Sequence, residues 1–370
     1  MSSRLQAILW VRPRLRILNQ LLLPHRREYV EINNSRAGHH AIASMQTRGA
    51  PAIAIVAALS LAAELCGLEF SSAATAQAHI RQQLAYLSTS RPTAVNLFDA
   101  VRRLNKVVDA AAADGADVCA AYVQAAEAML AADIADNRAI GTHGARYIAE
   151  TAGTSSIKLL THCNTGALAT AGHGTALGIA RTLHEHNVLS HMYFTETRPY
   201  NQGARLTAFE LLEERIPSTL VCDSAVSALL QSDPGIQAIV VGADRVAANG
   251  DTANKIGTYQ LAITAHHHNR LFIVAAPSTS IDLDMPSGKQ IEIEQRDPSE
   301  ILVQSGFTQS SVATGSLEPA SIQVAPLETR AWNPSFDVTP AALISAIVTE
   351  KGVITKQPNS SEFDMKAALS

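Results

Sequence analysis

The chain has 370 residues, of which 47% are apolar and 17% charged, and its formal net charge is −4. A disordered chain would have fewer apolar and more charged residues, and a protein that coats nucleic acid would normally have a basic excess, so both classes are excluded. At roughly 150 residues a domain, the length predicts two or three domains, each large enough for its own core.

Cysteine spacing and hydropathy indicate an intracellular protein outside the membrane. The cysteines, Cys66, Cys119, Cys163 and Cys222, are widely spaced and form no CxxC pair, which is typical of reduced thiols. The most apolar run, Ala50 to Ala63, is shorter than the roughly 20 residues of a membrane span. We therefore expect a soluble protein without a disulfide framework.

The first part of the chain has helical periodicity. Apolar residues recur three and four positions apart from Ile53 to Leu65 and from Val95 to Val108, and the Ala-rich segment Val118–Ile134 has the same period. The pattern predicts a mostly helical domain at 1–150, with short strands near its N-terminus.

After Gly153, strand-length apolar runs alternate with helical stretches. The predicted strands are Ile157–Cys163, His191–Thr197, Thr219–Asp223, Ala238–Asp244 and Leu271–Ala276, and the predicted helices are Gly174–His186, Ala204–Arg215, Ser224–Gln231 and Asn254–His267. This alternation is typical of a doubly wound parallel sheet, so the predicted fold class is α/β.

Three further expectations concern the end of the chain. Gln304–Ser321 is rich in Ser, Thr and Gly, which predicts a surface loop, and Pro340–Val348 is predicted as a final helix. The segment 357–370 is predicted to be a flexible tail.

Ligands of doubly wound sheets bind beyond the carboxyl ends of the strands, and Cys163 and Asp244 lie at two such ends. A Gly-rich turn follows Cys163, and its backbone N–H groups can stabilise a thiolate. A buried structural cysteine is the alternative, which the position at a strand end disfavours.

Asp244 follows an apolar strand, and because burial raises the pKa of a carboxyl, it is a candidate general acid. An ion pair with Arg245 or a turn cap is the alternative, left open at this point.

Two helix starts are candidate anion sites. Arg48, Gly49 and Ala50 precede a proline, which is a helix-start signal, and Asn254 and Lys255 begin a later predicted helix. Cationic side chains beside free helix-start N–H groups can bind phosphate, although each segment alone could equally be an ordinary exposed helix start.

The sequence favours neither a nucleotide cofactor nor a metal. Gly172, Gly174 and Gly178 have the spacing GxGxxxG and come too long after the strand that ends at Cys163 for a dinucleotide fingerprint. His162 and the run His266–His268 lack the paired spacing of a zinc site.

Several segments together resemble one family. The chain resembles the methylthioribose-1-phosphate isomerases, in particular eukaryotic members, within the wider group that includes regulatory subunits of initiation factor 2B. The matching segments run nearly end to end: Leu18–Pro24, Thr47–Ile55, Arg91–Leu97, Thr161–Gly174, Glu196–Leu206, Val241–Gly257 and Asn333–Pro340.

The resemblance implies a helical N-terminal domain at 1–150 and a Rossmann-like catalytic domain at 151–356. It implies the conversion of 5-methylthioribose 1-phosphate to 5-methylthioribulose 1-phosphate in methionine salvage, with a small phosphorylated sugar as ligand and no cofactor, nucleic acid or membrane partner. It also implies a cytoplasmic homodimer, with the nucleus left open as a second location. The family's catalytic pair falls on Cys163 and Asp244, and its substrate-binding positions fall on Arg48, Gly49, Ala50, Arg91, Gln202, Asn254 and Lys255.

The chemistry suggests a role for each member of the pair. The anomeric carbon of this substrate carries phosphate, so the ring cannot open as a free aldose does; Asp244 is the expected acid for the ring oxygen, and Cys163 is expected to assist hydrogen transfer from C2 to C1. Two alternatives remain: an isomerase of ribose 1,5-bisphosphate, and a non-catalytic regulatory subunit.

Overall fold

The computed structural model describes residues 5–92 and 94–369. Its N-terminal part combines a three-stranded antiparallel sheet with a layer of helices. The strands are β1 (Ile8–Val11), β2 (Arg14–Leu18) and β3 (Tyr29–Ile32), and the helices are α1 (Ser35–Ala43), α2 (Ala50–Leu65), α3 (Ala73–Ser88), α4 (Val95–Ala113) and α5 (Val118–Ala152). Helix α2 is apolar on all sides and is therefore buried nearly all round at the centre of this layer.

Helix α5 connects two hydrophobic cores. The side chain of Asp117 caps its start, and it ends at Gly153, whose φ of 60° is the left-handed conformation common after helices. Its early residues pack in the core of the helical layer, whereas Ile140 and Ile148 pack in the core beneath the second sheet. The predicted domain boundary at residue 150 thus lies close to the C-terminal end of α5. The helix itself passes from one hydrophobic core to the other before that point.

Among the described helices, α5 is the one long and apolar enough to cross a membrane by length and composition alone. It packs against α2, α4 and α6 (Ala176–Glu185). A core helix meets the same two criteria.

The C-terminal part is built on a seven-stranded sheet of order β16-β15-β10-β7-β4-β5-β6, in which the edge strand β16 alone is antiparallel to its neighbour. In chain order its elements are β4 (Ile157–Thr161), α6, β5 (Leu189–Thr195), α7 (Ala208–Glu213), β6 (Ser218–Val221), α8 (Val226–Ser232), β7 (Ile236–Val241), β8 (Arg245–Ala247), β9 (Thr252–Lys255), α9 (Thr258–His267), β10 (Leu271–Ala275), β11 (Ile281–Asp282), α10 (Ser299–Leu302), β12 (Val303–Phe307), α11 (Gln309–Thr314), β13 (Pro319–Gln323), β14 (Phe336–Thr339), β15 (Ala346–Thr349), β16 (Gly352–Ile354) and α12 (Met365–Leu369). A four-stranded sheet of order β11-β8-β9-β14 and the hairpin β12-β13 complete the region.

The predicted α/β class is confirmed, and each predicted strand from Ile157 to Ala276 has its counterpart in the sheet. Three local predictions are wrong. Gln304–Ser321 lies at the surface as predicted, but it forms most of the antiparallel hairpin β12-β13 with α11 between the strands, because backbone pairing overrides the loop-like Ser, Thr and Gly composition. Pro340–Val348 contains a short 3-10 turn and strand β15, because Ala346, Ile347 and Val348 are fully buried beside β10 and tertiary pairing overrides helical periodicity. Asn254 and Lys255 lie on strand β9, because helix α9 begins only after Gly257.

The C-terminal segment packs on the sheet domain, whereas the sequence predicted a flexible tail from residue 357. Phe363 and Met365 are 4% and 0% exposed, and their N–H groups donate to the carbonyls of Asn249 and Ala248 at 3.0 and 3.2 Å. A Cβ on Gly250 would lie 2.4 Å from the Phe363 ring, so the ring occupies space that only glycine leaves open.

We expect Phe363→Ala to lower the free energy of unfolding by about 3 kcal/mol, because it removes a buried ring and leaves a cavity. Chemical denaturation of the purified protein measures this. Ser361→Ala, at an exposed position two residues away, is the matched control and should change the value by less than about 0.5 kcal/mol. Equal stability of the two variants would show that the tail is undocked in solution.

Candidate active site

The candidate site is a cavity of about 210 Å³ at the carboxyl ends of the central strands. Strand order reverses between β4 and β7, and ligands of such sheets bind in the crevice at this switch point. Every site residue predicted from the sequence lines the cavity: Arg48, Gly49, Ala50, Arg91, Cys163, Gln202, Asp244, Asn254 and Lys255.

The first turn of α2 reaches the cavity because residue 49 is a glycine. Gly49 has a φ of 93°, and a Cβ there would lie 2.2 Å from the carbonyl oxygen of Ala169. The N–H of Ala52 donates to the same carbonyl at 3.3 Å. The helix start predicted from Pro51 is therefore correct, and it places Arg48 and Ala50 against the Gly-rich loop 164–175, whose Leu168 packs in the same core as α2.

The loop 164–175 is held by the buried ion pair of Glu210 and Arg181, which the sequence did not reveal. Glu210 is fully buried and accepts hydrogen bonds from Asn164 Nδ2 and Ala167 N, both at 2.7 Å, and from Leu168 N at 3.2 Å. Arg181 lies 2.5 Å from Glu210 and neutralises its charge. In the sequence these residues sit within ordinary amphipathic helices, and no spacing distinguishes them from surface charges.

Cys163 follows β4 in a left-handed backbone conformation with a φ of 64°. Its N–H donates to Thr197 Oγ1 at 2.9 Å. Burial raises the pKa of the thiol and outweighs the opposing effects of the charges of Lys255 and Arg48 and of the N–H of Asn164. Loss of hydration thus exceeds the stabilisation that nearby N–H groups and cations give a thiolate, and the protonated thiol is favoured.

Asp244 follows β7, and its N–H donates to the carbonyl of Ala253 at 2.9 Å. Burial raises the pKa of its carboxyl to about 6; Glu294 adds to this effect, and the charges of Lys255 and Arg91 oppose it. The alternative of an ion pair with Arg245 is not what the structure shows, since Arg245 Nη1 lies 3.8 Å from Asp282. A carboxyl with this pKa can act as a proton donor near neutral pH.

A group of cationic and amide side chains lies between this cavity and a second one of about 30 Å³. Arg48, Arg91, Gln202 and Lys255 line both. Arg48 stacks 4.3 Å from the centroid of the Tyr200 ring, and its buried Nη1 has no hydrogen-bond partner among the described residues. A buried guanidinium nitrogen without a partner is the donor that an anionic ligand would satisfy.

The remaining polar groups are oriented by neighbouring strands and turns. With its amide oxygen facing Arg48, Gln202 accepts from Arg48 Nη2 at 2.9 Å. Lys255 Nζ donates to the carbonyl of Ser335 at 2.9 Å, and burial lowers the pKa of this amine. Asn254 is buried, and its Nδ2 donates to Thr258 Oγ1 at 3.0 Å. Asn254 and Lys255 lie on strand β9, so the anion site predicted at this helix start is at the end of a strand.

Within residues 5–92 and 94–369, no group of three or more His, Cys, Asp or Glu side chains is arranged to hold a metal ion. His162 is buried between Thr195 and the carbonyl of Ile256, with contacts of 2.6 and 2.8 Å to its ring nitrogens. Its ring nitrogens are thus already occupied by hydrogen bonds.

Known proteins resemble the chain over nearly its whole length. The Initiation factor 2 subunit family matches residues 46–356. Proteins named methylthioribose-1-phosphate isomerase from Hordeum vulgare and Talaromyces marneffei are 52% and 53% identical, over 100% and 95% of this chain and 98% and 95% of theirs. The crystal structure of 5-methylthioribose 1-phosphate isomerase from Pyrococcus horikoshii OT3 has a TM-score of 0.84 and 34% identity, over 96% of this chain and 94% of that one. A structure titled translation initiation factor eIF-2B subunit delta, from A. fulgidus, has a TM-score of 0.79 and 34% identity, over 95% and 96% of the two chains.

The α/β fold, the cavity and these relatives define an enzyme of the isomerase class. The chain belongs to the Initiation factor 2 subunit family, and its plant and fungal relatives place it with the methylthioribose-1-phosphate isomerases of that family. The resemblance seen in the sequence is thereby confirmed.

The raised pKa of Asp244 predicts that removing its charge changes the stability of the fold in a pH-dependent way. The pKa of Asp244 is about 6 in the folded chain against an ordinary value of 3.8, so its ionisation destabilises the fold. We expect Asp244→Asn to raise the free energy of unfolding by about 1–3 kcal/mol above pH 6, and the gain to fade as the pH falls from about 6 to 4. Denaturation of both proteins across this range measures it. A constant difference at every pH would contradict the raised pKa.

Proposed function

We propose that this protein converts 5-methylthioribose 1-phosphate to 5-methylthioribulose 1-phosphate in methionine salvage. The observation that carries the proposal is one cavity in which a protonated thiol, a carboxyl with a pKa of about 6 and a cationic anion site converge. Relatives more than 50% identical over nearly the full chain bear the name of this activity.

The phosphate is bound at the cationic end of the cavity. Arg48 supplies its unpartnered Nη1, Arg91 and Lys255 add charge, and Gln202 orients Arg48. The N–H of Ala50, at the start of α2, adds a further donor, because the first turn of a helix leaves it without an intrahelical partner. Pro51 has no N–H, and the N–H of Ala52 donates to the carbonyl of Ala169. Asn254, which also lines the cavity, completes the set of ligand contacts.

Asp244 protonates the ring oxygen. Phosphate on the anomeric carbon prevents spontaneous ring opening, so cleavage of the bond between this carbon and the ring oxygen requires a proton donor. A carboxyl with a pKa of about 6 is partly protonated near neutral pH and is strong enough to give the proton up. The ring oxygen becomes a hydroxyl, and the opened carbon becomes electron-deficient.

Cys163 assists the hydrogen transfer that follows. In one route the C2 hydrogen moves to C1 as a hydride, and the C2 hydroxyl loses its proton. In the other route the C2 hydrogen leaves as a proton, which the deprotonated sulfur of Cys163 accepts, and a proton is then added at C1. Both routes yield the C2 ketone with no net oxidation. Because the raised pKa keeps the thiol protonated, Cys163 can exchange a proton with substrate bound in the cavity.

The lining also supports a methylthio group over a second phosphate. The cavity wall includes the apolar side chains of Ile53, Val95 and Ile291 and the carboxylates of Glu292 and Glu294. Apolar side chains suit a thioether, and carboxylates repel an additional phosphate.

The substrate choice is tested by turnover of the purified protein on two sugars. We expect kcat/KM on 5-methylthioribose 1-phosphate to exceed that on ribose 1,5-bisphosphate by about 100-fold or more, because the bisphosphate must place a dianion beside carboxylates. Comparable values would overturn the substrate assignment. Failure of the folded protein to turn over either sugar would favour a regulatory subunit.

The catalytic pair is tested by substitution. We expect Cys163→Ala and Asp244→Asn each to lower kcat by about 100-fold or more, because each removes a proton-transfer group. Cys66→Ala, at an exposed thiol at the end of α2, is the matched control and should leave kcat unchanged. Near wild-type turnover of either site variant would refute its assigned role.

The hydrogen route has its own measurement. Substrate deuterated at C2 should yield product with full retention of deuterium in ordinary water if the hydrogen moves directly to C1. Exchange with solvent would instead show that the hydrogen leaves as a proton to a base, for which Cys163 is the candidate. The homodimer and the cytoplasmic or nuclear location remain predictions.

A further inference from the structure

The residue before the candidate catalytic thiol is a buried histidine whose proton position is fixed by its partners. His162 Nε2 lies 2.8 Å from the carbonyl oxygen of Ile256, which can only accept, so Nε2 carries the proton. Its Nδ1 therefore accepts from Thr195 Oγ1 at 2.6 Å. Burial lowers the pKa of His162, with Asp223 opposing this effect and Lys255 adding to it, so the neutral ring persists.

The hydrogen bonds continue in one direction to Cys163. Because the Thr195 hydroxyl donates to the histidine, its oxygen can accept from Thr197 Oγ1 at 3.2 Å. The Thr197 oxygen in turn accepts the N–H of Cys163 at 2.9 Å. A single set of proton positions satisfies every link of this chain, which we call the His162–Thr195–Thr197 chain.

Thr197 also connects to the anion-binding side chains. Its N–H donates to Asp223 Oδ1 at 2.8 Å, and its carbonyl accepts from Gln202 Nε2 at 3.3 Å. Gln202 Oε1 accepts from Arg48 Nη2 at 2.9 Å. Thr197 thus contacts both the backbone N–H of Cys163 and the side-chain amide of Gln202, which orients the phosphate-binding guanidinium of Arg48.

The backbone at both ends of this connection is unusual. Thr197 has a φ of 63° and Cys163 a φ of 64°, and the left-handed region is rare for residues other than glycine and especially for β-branched ones. Such conformations persist where surrounding contacts fix them. The hydrogen bonds to the Thr197 N–H, carbonyl and hydroxyl are these contacts.

We propose that Thr197, fixed by Thr195 and His162, is a positioning residue that sets the sulfur of Cys163 relative to the phosphate held by Arg48. The inference rests on the proposed function, in which Cys163 assists hydrogen transfer. Hydrogen transfer demands placement of the reacting groups to well under 1 Å, whereas phosphate binding tolerates more movement. Loss of the Thr197 hydroxyl therefore weakens turnover and spares binding, because the carbonyl that meets Gln202 remains.

The experiment compares Thr197→Val with Thr197→Ser. Valine keeps the branched shape and removes the acceptor of the Cys163 N–H; serine keeps the acceptor. We expect Thr197→Val to lower kcat about 10- to 100-fold with KM within about 3-fold of wild type, and Thr197→Ser to restore most of kcat.

Thr182→Val is the matched control for a lost buried hydrogen bond. Thr182 Oγ1 lies 3.1 Å from His173 Nε2, a second buried Thr–His pair, and does not line the cavity. We expect similar melting temperatures for Thr182→Val and Thr197→Val, and loss of kcat in Thr197→Val alone. Equal kcat in the two variants, or a loss in Thr197→Val carried by KM, would overturn the proposal.

A substrate-independent readout separates this inference from the proposed function. The rate at which iodoacetamide alkylates Cys163, followed by peptide mass spectrometry, should rise at least about 3-fold in Thr197→Val, because release of its N–H admits solvent to the thiol. If wild type turns over neither sugar and alkylation still rises, the proposed function fails and the positioning role stands. If wild type is active and neither kcat nor alkylation changes in Thr197→Val, the positioning role fails and the proposed function stands.

Discussion

The contact of Gly49 with Ala169 is the constraint on which the site depends. It brings the first turn of α2, in the N-terminal part of the chain, against the loop that follows β4, in the C-terminal part. Arg48 then lies in the same cavity as Cys163 and Asp244, although it precedes helix α2 and they follow strands β4 and β7 of the C-terminal sheet. Any side chain at position 49 would hold the two apart and open the cavity to water, since its Cβ would lie 2.2 Å from the Ala169 carbonyl oxygen. The buried pair of Glu210 and Arg181 completes this arrangement by fixing the loop from the opposite side.

Burial in the cavity has opposite consequences for acids and bases, and both are useful. It raises the pKa of Cys163 and Asp244 and lowers that of Lys255, because each charged form loses hydration. The two acids are thereby kept as proton carriers near neutrality, while the anion is bound by other side chains, among them the guanidinium groups of Arg48 and Arg91. The groups that transfer protons and the groups that bind the anion therefore differ in side-chain chemistry, although they line the same cavity.

Much of this arrangement could be predicted from the sequence, because strand ends are marked by a change from apolar to polar residues. Cys163 and Asp244 were found in this way, and the parallel topology requires neighbouring strand ends to meet. Gln202 and Arg91 were found through the family resemblance alone, since neither lies in a pattern with its own chemical signature. Helical periodicity misled at Pro340–Val348, where pairing with β10 decides the conformation.

The positions that the sequence could not reveal share a physical cause: their roles arise from long-range partners. Thr197 and His162 are ordinary residues in the chain, and only the fold brings the Cys163 N–H, the Gln202 amide and the Asp223 carboxylate to Thr197. The same holds for Glu210, whose carboxylate serves a loop more than 40 residues earlier, at Ala167. A strand end fixes which groups enter the cavity, whereas these buried hydrogen bonds fix where their reacting atoms lie. Since hydrogen transfer depends more steeply on position than binding does, such residues can control turnover without touching the ligand.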